Sequence, residues 1–299
     1  MPDDLFGILN LAKPANVTSR AVVDVVQRLV RPAKAGHAGT LDPLARGVVV
    51  VCLGRATRLI PFVQQAEKVY RGRFRLGLRS NTDDVTGQIT ETPGVTPVSA
   101  EQLAAVLPAF VGEIQQVPPQ FSAVHVDGKR AYKLARRGQH VEISARAVVV
   151  HRIELVDFGF PDFELEIDCG SGTYIRSIGR DIGERLRCGA VMTSLTRTRI
   201  GPYRLEDAVA PEELDQQSLA EHVRSAAEAV AGLPVHQCSE EELEEIVHGR
   251  KIVPDEAAAF AQGAEVALLD PSGGLAALAL YRRQDNSLGP KQVFLPRRD

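Results

Sequence analysis

Asp42 stands in Gly36-His37-Ala38-Gly39-Thr40-Leu41-Asp42-Pro43-Leu44-Ala45-Arg46-Gly47, a glycine-punctuated turn followed by four valines. A carboxylate presented on such a turn is a candidate nucleophile or general base. Pro43 biases Asp42 away from helical backbone, so the carboxylate is expected on an extended or turn segment. The glycines permit a tight turn and the close approach of another backbone or a ligand. The surroundings are basic: residues 13–79 hold 13 Lys and Arg against three acidic residues, Asp24, Asp42 and Glu67. Neighbouring cations favour the ionised form of a carboxylate, which suits a nucleophile or base better than a general acid. An Asp-Pro dipeptide alone is usually only a turn, and it is the cationic, glycine-rich setting that argues for chemistry.

The elements around this turn read from hydrophobic period. Residues 6–11 form a strand. Thr18 or Ser19 caps an amphipathic helix over residues 20–29. A buried strand follows the signature turn at 48–53. Residues 68–78 alternate, with Tyr70, Gly72, Phe74 and Leu76 opposite Arg71, Arg73, Arg75 and Gly77; that is a half-buried strand with a strongly cationic face. A polar loop at 80–87 precedes a helix at 99–110 capped by Ser99. Prolines keep residues 117–122 out of helix and central strand. Strands are expected at 141–153, 163–169 and 191–200. Gly170-Ser171-Gly172-Thr173 turns into a helix at 174–186 with Ile175, Ile178, Ile182 and Leu186 on one face. Residues 206–231 read as an acidic helical connector. Short strands at 266–269, 275–280 and 292–295, separated by Pro/Gly turns at 270–274 and 286–290, have the pattern of a small β-barrel. The fold class is α+β with a mixed or antiparallel sheet.

The chain has 299 residues and a net charge of −3, which hides an asymmetry. Residues 1–205 carry 27 basic and 20 acidic side chains, a balance of +7; residues 206–299 carry 8 and 18, a balance of −10. A basic body joined to an acidic tail suggests two modules, the first binding a polyanion. Cys52, Cys169, Cys188 and Cys238 are scattered without CxxC spacing, so no zinc or redox pair is indicated. No signal peptide or membrane-length apolar run is seen, and the cytoplasm is the expected compartment. No Gly-Lys-Ser/Thr follows the glycine-rich turn, which argues against a phosphate-binding hydrolase.

The segment around Asp42 resembles the signature of the TruB family of pseudouridine synthases, which act on the T-loop of tRNA. Four other segments agree in family order: Lys13-Pro14 with Thr18-Ser19, Lys68-Val69-Tyr70, Gln120-Phe121-Ser122-Ala123-Val124, and Gly172-Thr173-Tyr174-Ile175-Arg176. Leu195 with Arg197-Thr198-Arg199 resembles a sixth. The likeness covers roughly residues 6–205, and the tail resembles a C-terminal RNA-binding barrel of PUA type. The family usually carries Gly at position 16, where this chain has Asn16; Asn tolerates the left-handed conformation, so the turn is expected to survive.

The resemblance implies a pseudouridine synthase catalytic domain over residues 1–230, with a mixed, largely antiparallel sheet, and a PUA-like RNA-binding domain over 231–299. It implies isomerisation of uridine 55 of tRNA to pseudouridine by base flipping, Asp-dependent glycosidic cleavage, base rotation and C–C rejoining. Asp42 is then the catalytic aspartate. Tyr70 stacks on the base and acts as general base, and Arg176 pairs with Asp42. Tyr174 holds the flipped nucleotide, Lys13 supports the loop, Leu195 packs in the uracil pocket, and His37 fills space near the extruded base. An isomerisation of this kind needs no cofactor and no metal. The implied partner is the T-arm stem-loop of tRNA, bound by a monomer without a membrane, guide RNA or obligate protein partner. A guide-RNA-dependent relative and a non-catalytic RNA-binding protein are the alternatives. The lack of a long basic extension argues against the first, and the intact Asp42, Tyr70 and Arg176 against the second.

Overall fold

A computed structural model describes residues 5–295 apart from Ala123, Asp127, Arg136, Gln139, His140 and residues 255–259; Ala123 of the fourth motif therefore lies outside the described residues. The body is built on a nine-stranded sheet. Its main path runs Phe6–Lys13, Arg46–Gly54, Ala190–Ile200, Lys68–Leu76, Asp162–Cys169, Arg146–Gly159, Gly112–Gln116. Ala35–His37 and Tyr203–Arg204 pair off this path. The pairing of Ala190–Ile200 with Arg46–Gly54 is parallel and the other pairings in this sheet are antiparallel. The α+β class with a mixed, largely antiparallel sheet is as expected.

The valine run explains why Arg46–Gly54 lies next to the edge strand yet deep in the molecule. Val49, Val51 and Leu53 enter one hydrophobic cluster, while Val48, Val50 and Cys52 enter another on the opposite face. A strand buried on both faces reads as a continuous apolar run rather than an alternation. Each fully buried Val contributes about 1.5–3 kcal/mol, so this strand is a rigid base for the turn that precedes it. On one face lies the helix Ser19–Val30, capped by the Thr18 side chain and burying Val22, Val23, Val26 and Val30. The helix Ile175–Arg185 packs Ile175, Ile178 and Ile182 into the same cluster as Tyr70 and Phe74.

Three expectations are corrected. The cationic face of Lys68–Leu76 is neutralised: Arg71, Arg73 and Arg75 lie directly across from Glu166, Glu164 and Asp162 on the neighbouring strand. They form ion pairs at 3.2, 2.5 and 2.7 Å. Side chains alternate across a strand, so this ladder faces away from Tyr70. Residues 206–231 are not a continuous helix. They break into short turns at Leu205–Asp207, Pro211–Glu213, Leu219–His222 and Ala226–Val230. Their backbone instead serves the open edge of Phe6–Lys13, through bridges Leu11–Val209 and Ile8–Arg224, and Pro211 has no N–H for a helical ladder.

The last strand is Ser287–Val293, running through residues read as a turn. Pro290 is tolerated because this is an edge strand with a register shift opposite it. The C-terminal part forms a four-stranded sheet, Val235–Gln237, Glu265–Leu269, Leu275–Arg282, Ser287–Val293. It shares a core with the main sheet: Phe294 stacks on Phe6 at 5.0 Å, and the Arg58 guanidinium lies 4.5 Å from the Phe294 ring centre. No helix among the described residues is long and apolar enough to cross a membrane.

Candidate active site

The Asp42 turn is held from three sides. Ser19 Oγ accepts from the Leu41 amide at 2.8 Å, which ties the turn to the start of the first helix. Lys13, 1% exposed, donates its ammonium to the carbonyls of Pro14, Val17 and Pro43 at 2.9, 2.7 and 3.4 Å. Asn16, at φ 66°, donates its amide to the Pro43 carbonyl at 2.7 Å, so the left-handed turn expected there is present. Gly47, at φ 109°, pairs in parallel with Arg197; a Cβ at Gly47 would fall 2.2 Å from the Arg197 carbonyl oxygen, so this crossing requires glycine.

The Asp42 side chain is 38% exposed, and its Oδ2 lies 2.9 Å from Nε of Arg176, a nearly buried guanidinium. Arg176 is fixed by donating to the Thr82 carbonyl at 2.8 Å and the Phe121 carbonyl at 3.1 Å. These contacts aim a charged fork at the carboxylate, with its other arms spent on backbone. A second carboxylate, the buried Asp84, lies 3.8 Å from the same Nε. It accepts from the Thr82 and Thr86 hydroxyls at 2.7 and 2.6 Å and from the Thr86 amide at 2.9 Å. Arg176 therefore balances two carboxylates, one buried and one open to solvent.

Asp42, Tyr70, Tyr174, Arg176 and Leu195 line one cleft of about 520 Å³, together with Phe121, Arg146, Lys68 and Arg197. Tyr70 is 7% exposed. Burial pushes its phenol pKa up, and the positive charge of Arg197, its cross-strand neighbour, opposes that rise. Tyr174 is clamped through its backbone by Gln116, which accepts its amide at 2.8 Å and donates to its carbonyl at 3.1 Å. Its ring carries the Arg146 guanidinium at 5.0 Å.

Two residues singled out in the sequence lie outside this lining. Lys13 sits behind the turn as a support. Burial and the nearby Arg197 lower its ammonium pKa to about 8, against the opposing pull of Asp42. His37 lies on the Ala35–His37 strand, paired opposite Val51. Burial, with Arg197 adding to it, lowers its imidazole pKa, which favours the neutral ring at pH 7. Its Nδ1 is buried without a hydrogen-bond partner among the described residues.

Arg197, Lys68, Asp84 and Arg146 were assigned no role from sequence. Lys68 Nζ donates to the Gln64 and Ala66 carbonyls at 2.8 and 2.5 Å, and burial with Arg197 brings its pKa to about 8. A signal existed for two of them: Lys68 shares the face of Tyr70, and Arg197 that of Leu195, at two-residue spacing. Asp84 and Arg146 come from distant elements and carry no local signal. The fold also brings together donor atoms of His236, Cys238 and Glu242, within 4.8 Å of one another, although no metal-ligand spacing marks them. His236 Nε2 bonds both Glu242 oxygens at 3.0 Å, and burial keeps the Cys238 thiol protonated, its pKa near 12.

Residues 27–175 match the model of the TruB family pseudouridylate synthase N-terminal domain, and residues 176–247 that of the tRNA pseudouridylate synthase B C-terminal domain. The matches meet inside the nine-stranded sheet, at the start of the helix that carries Arg176. The tRNA pseudouridine synthase B of Thermobifida fusca is 41% identical over 297 residues, covering 96% of this chain and 98% of that protein. That of Cereibacter sphaeroides is 46% identical over 233 residues, covering 76% and 77%. Among solved structures, a chain of a Cbf5–Nop10–Gar1 complex has a TM-score of 0.76 at 27% identity, covering 99% of this chain and 88% of that one. A chain of an H/ACA RNP bound to a substrate RNA containing 2′-deoxyuridine has a TM-score of 0.76 at 25% identity, covering 99% and 87%. On its site residues, its fold and these relatives, the chain belongs to the TruB family of pseudouridine synthases.

Proposed function

We propose that this protein isomerises uridine 55 in the T-loop of tRNA to pseudouridine, acting on the T-arm without a guide RNA. The observation that carries this reading is Asp42, held 2.9 Å from a buried Arg176 in a cleft that also presents Tyr70. A T-loop uridine is stacked in the folded RNA, so it must be flipped out to reach that cleft. The Tyr70 ring offers a stacking face, worth about 1–3 kcal/mol. Asp42, oriented by Arg176, drives cleavage of the N1–C1′ bond. The freed base rotates in the pocket beside Leu195, and C5 bonds to C1′. Tyr70 gives its phenol proton to N1 and takes the proton that C5 loses, the C5–H electron pair restoring the C5–C6 double bond, so atoms and charge balance.

Tyr174 and Arg146 flank the flipped nucleotide, Lys13 keeps the Asp42 turn in place, and His37 packs at the RNA-facing side of that turn. The catalytic unit spans residues 1–230 and the RNA-binding C-terminal unit residues 231–299. The curated relatives at 41 and 46% identity bear the name tRNA pseudouridine synthase B, which supports tRNA as substrate. The basic excess of residues 1–205 supports a polyanionic partner. The test is pseudouridine mapping on an unmodified T-arm stem-loop incubated with the purified protein. Product at a single T-loop uridine supports the assignment; tight binding without product refutes the stand-alone reading.

A further inference from the structure

Arg197 is 1% exposed and sits at the floor of the cleft. Among the described residues it makes no ion pair with a carboxylate. Its Nε donates to the Val48 carbonyl at 2.8 Å, and one terminal nitrogen to the Gly39 carbonyl at 3.2 Å. Its Cα lies directly across the sheet from that of Tyr70, and both side chains line the cleft. Two more buried cations, Lys13 and Lys68, stand near it, and each is destabilised by it. A guanidinium buried without a counter-ion beside two lysines is costly. Two carbonyls would be tied as well by a neutral donor, so tying the turn does not account for a permanent charge there.

We propose that Arg197 is a positioning residue for Tyr70, holding the phenol against the Asp42 turn and stabilising the negative charge that the phenol oxygen carries in the proton transfer. This rests on Tyr70 being the base of the proposed isomerisation. Over that cycle N1 gains a proton and the C5–H bond breaks, its electron pair restoring the C5–C6 double bond. A phenol that gives its own proton to N1 and then collects the C5 proton passes through the phenolate and ends as it began. In a buried site a phenolate needs a cation beside it. Lys68 and Arg176 line the same cleft, and among the described residues the groups whose charges act on the Tyr70 phenol itself are Arg197, Asp42 and Cys169. The Cys169 thiol is pushed up to about 12 by burial, and Asp42 repels a phenolate. Arg197 is the group among these that favours it.

The test is a double-mutant cycle in single-turnover pseudouridine formation on a T-arm stem-loop, using Arg197→Gln, Arg197→Lys, Tyr70→Phe and Arg197→Gln with Tyr70→Phe, each checked for RNA affinity and thermal melting. Arg197→Gln is expected to slow the chemical step by about 100-fold with RNA affinity unchanged. Its pH–rate profile should move up by roughly one unit. Arg197→Lys, which keeps the cation and most of the bulk, should recover much of the rate and carries the test should the Gln variant fail to fold. Added to Tyr70→Phe, Arg197→Gln should cost nothing further. A fully additive loss, an unmoved pH profile, or an Arg197→Lys protein as slow as Arg197→Gln at equal stability overturns the proposal. Full turnover by Tyr70→Phe overturns it together with the assignment of Tyr70 as base, while product from the wild-type protein would leave the isomerase reading intact.

Discussion

Replacing Arg176 by Gln separates the two jobs of the guanidinium. The change removes the ion pair to Asp42 at 2.9 Å, the approach to Asp84 at 3.8 Å and the donors to the Thr82 and Phe121 carbonyls. Asp84 is 4% exposed and would be left without a cation. Breaking a buried pair from one side costs about 3–5 kcal/mol. Asp42 is 38% exposed on its side chain, so its own share is screened and belongs near the surface value of about 1 kcal/mol or less. Arg176→Gln should therefore destabilise by about 3–5 kcal/mol, and Asp42→Asn by about 1 kcal/mol. Both should lose at least about 100-fold in turnover, as expected for removing an essential charged group from a reacting centre. Denaturant unfolding of the three proteins, followed by single-turnover assays under conditions where each is folded, measures both quantities. Equal stability of the two variants would refute the claim that Arg176 balances a buried carboxylate. More than a tenth of wild-type turnover in Arg176→Gln would refute its role in orienting Asp42.

Other consequences follow from particular contacts. Tyr70→Phe keeps the aromatic face and removes the hydroxyl, so tRNA affinity should be retained and turnover largely lost; near-wild-type turnover moves the base elsewhere. Arg73→Gln should leave tRNA affinity and its salt dependence unchanged, because Arg73 faces away from the cleft and is paired to Glu164. Its stability cost should be small, as for exposed pairs; weaker binding with a flatter salt slope would put RNA on that face. Lys13 and Lys68 should titrate near pH 8 by NMR of their side-chain carbons. With folded values below the ordinary 10.5, the unfolded chain binds more protons between about pH 8 and 10.5, so native stability gains from these groups as pH rises through that window and carries their full penalty below it. Midpoints above pH 10 for both would show that neither ammonium is desolvated.

The catalytic candidates were legible in sequence because each motif is local. Asp42 is fixed by its own turn, Tyr70 by strand alternation, and Arg176 by the turn that starts its helix. What sequence missed depends on pairing between distant segments. The cationic face of residues 71–75 disappears only when Asp162–Cys169 pairs with it in a register that sets acid opposite base at all three positions. Residues 206–231 carry helical composition, yet their backbone pairs with the edge of Phe6–Lys13, and tertiary pairing overrides a weak propensity. Ser287–Val293 runs through Gly289 and Pro290, punctuation that an edge strand accommodates. Arg197 was visible as part of a motif, but its burial beside Tyr70 is a property of the sheet, not of the strand.

The central claim is that Asp42 acts in chemistry and not in binding. The most direct measurement is single-turnover pseudouridine formation on an unmodified T-arm stem-loop by wild-type and Asp42→Asn protein, with the dissociation constant of the same RNA measured for each. The account predicts one modified T-loop uridine with the wild-type protein, none with Asp42→Asn, and equal RNA affinity for both. Product from Asp42→Asn at the wild-type rate would contradict it.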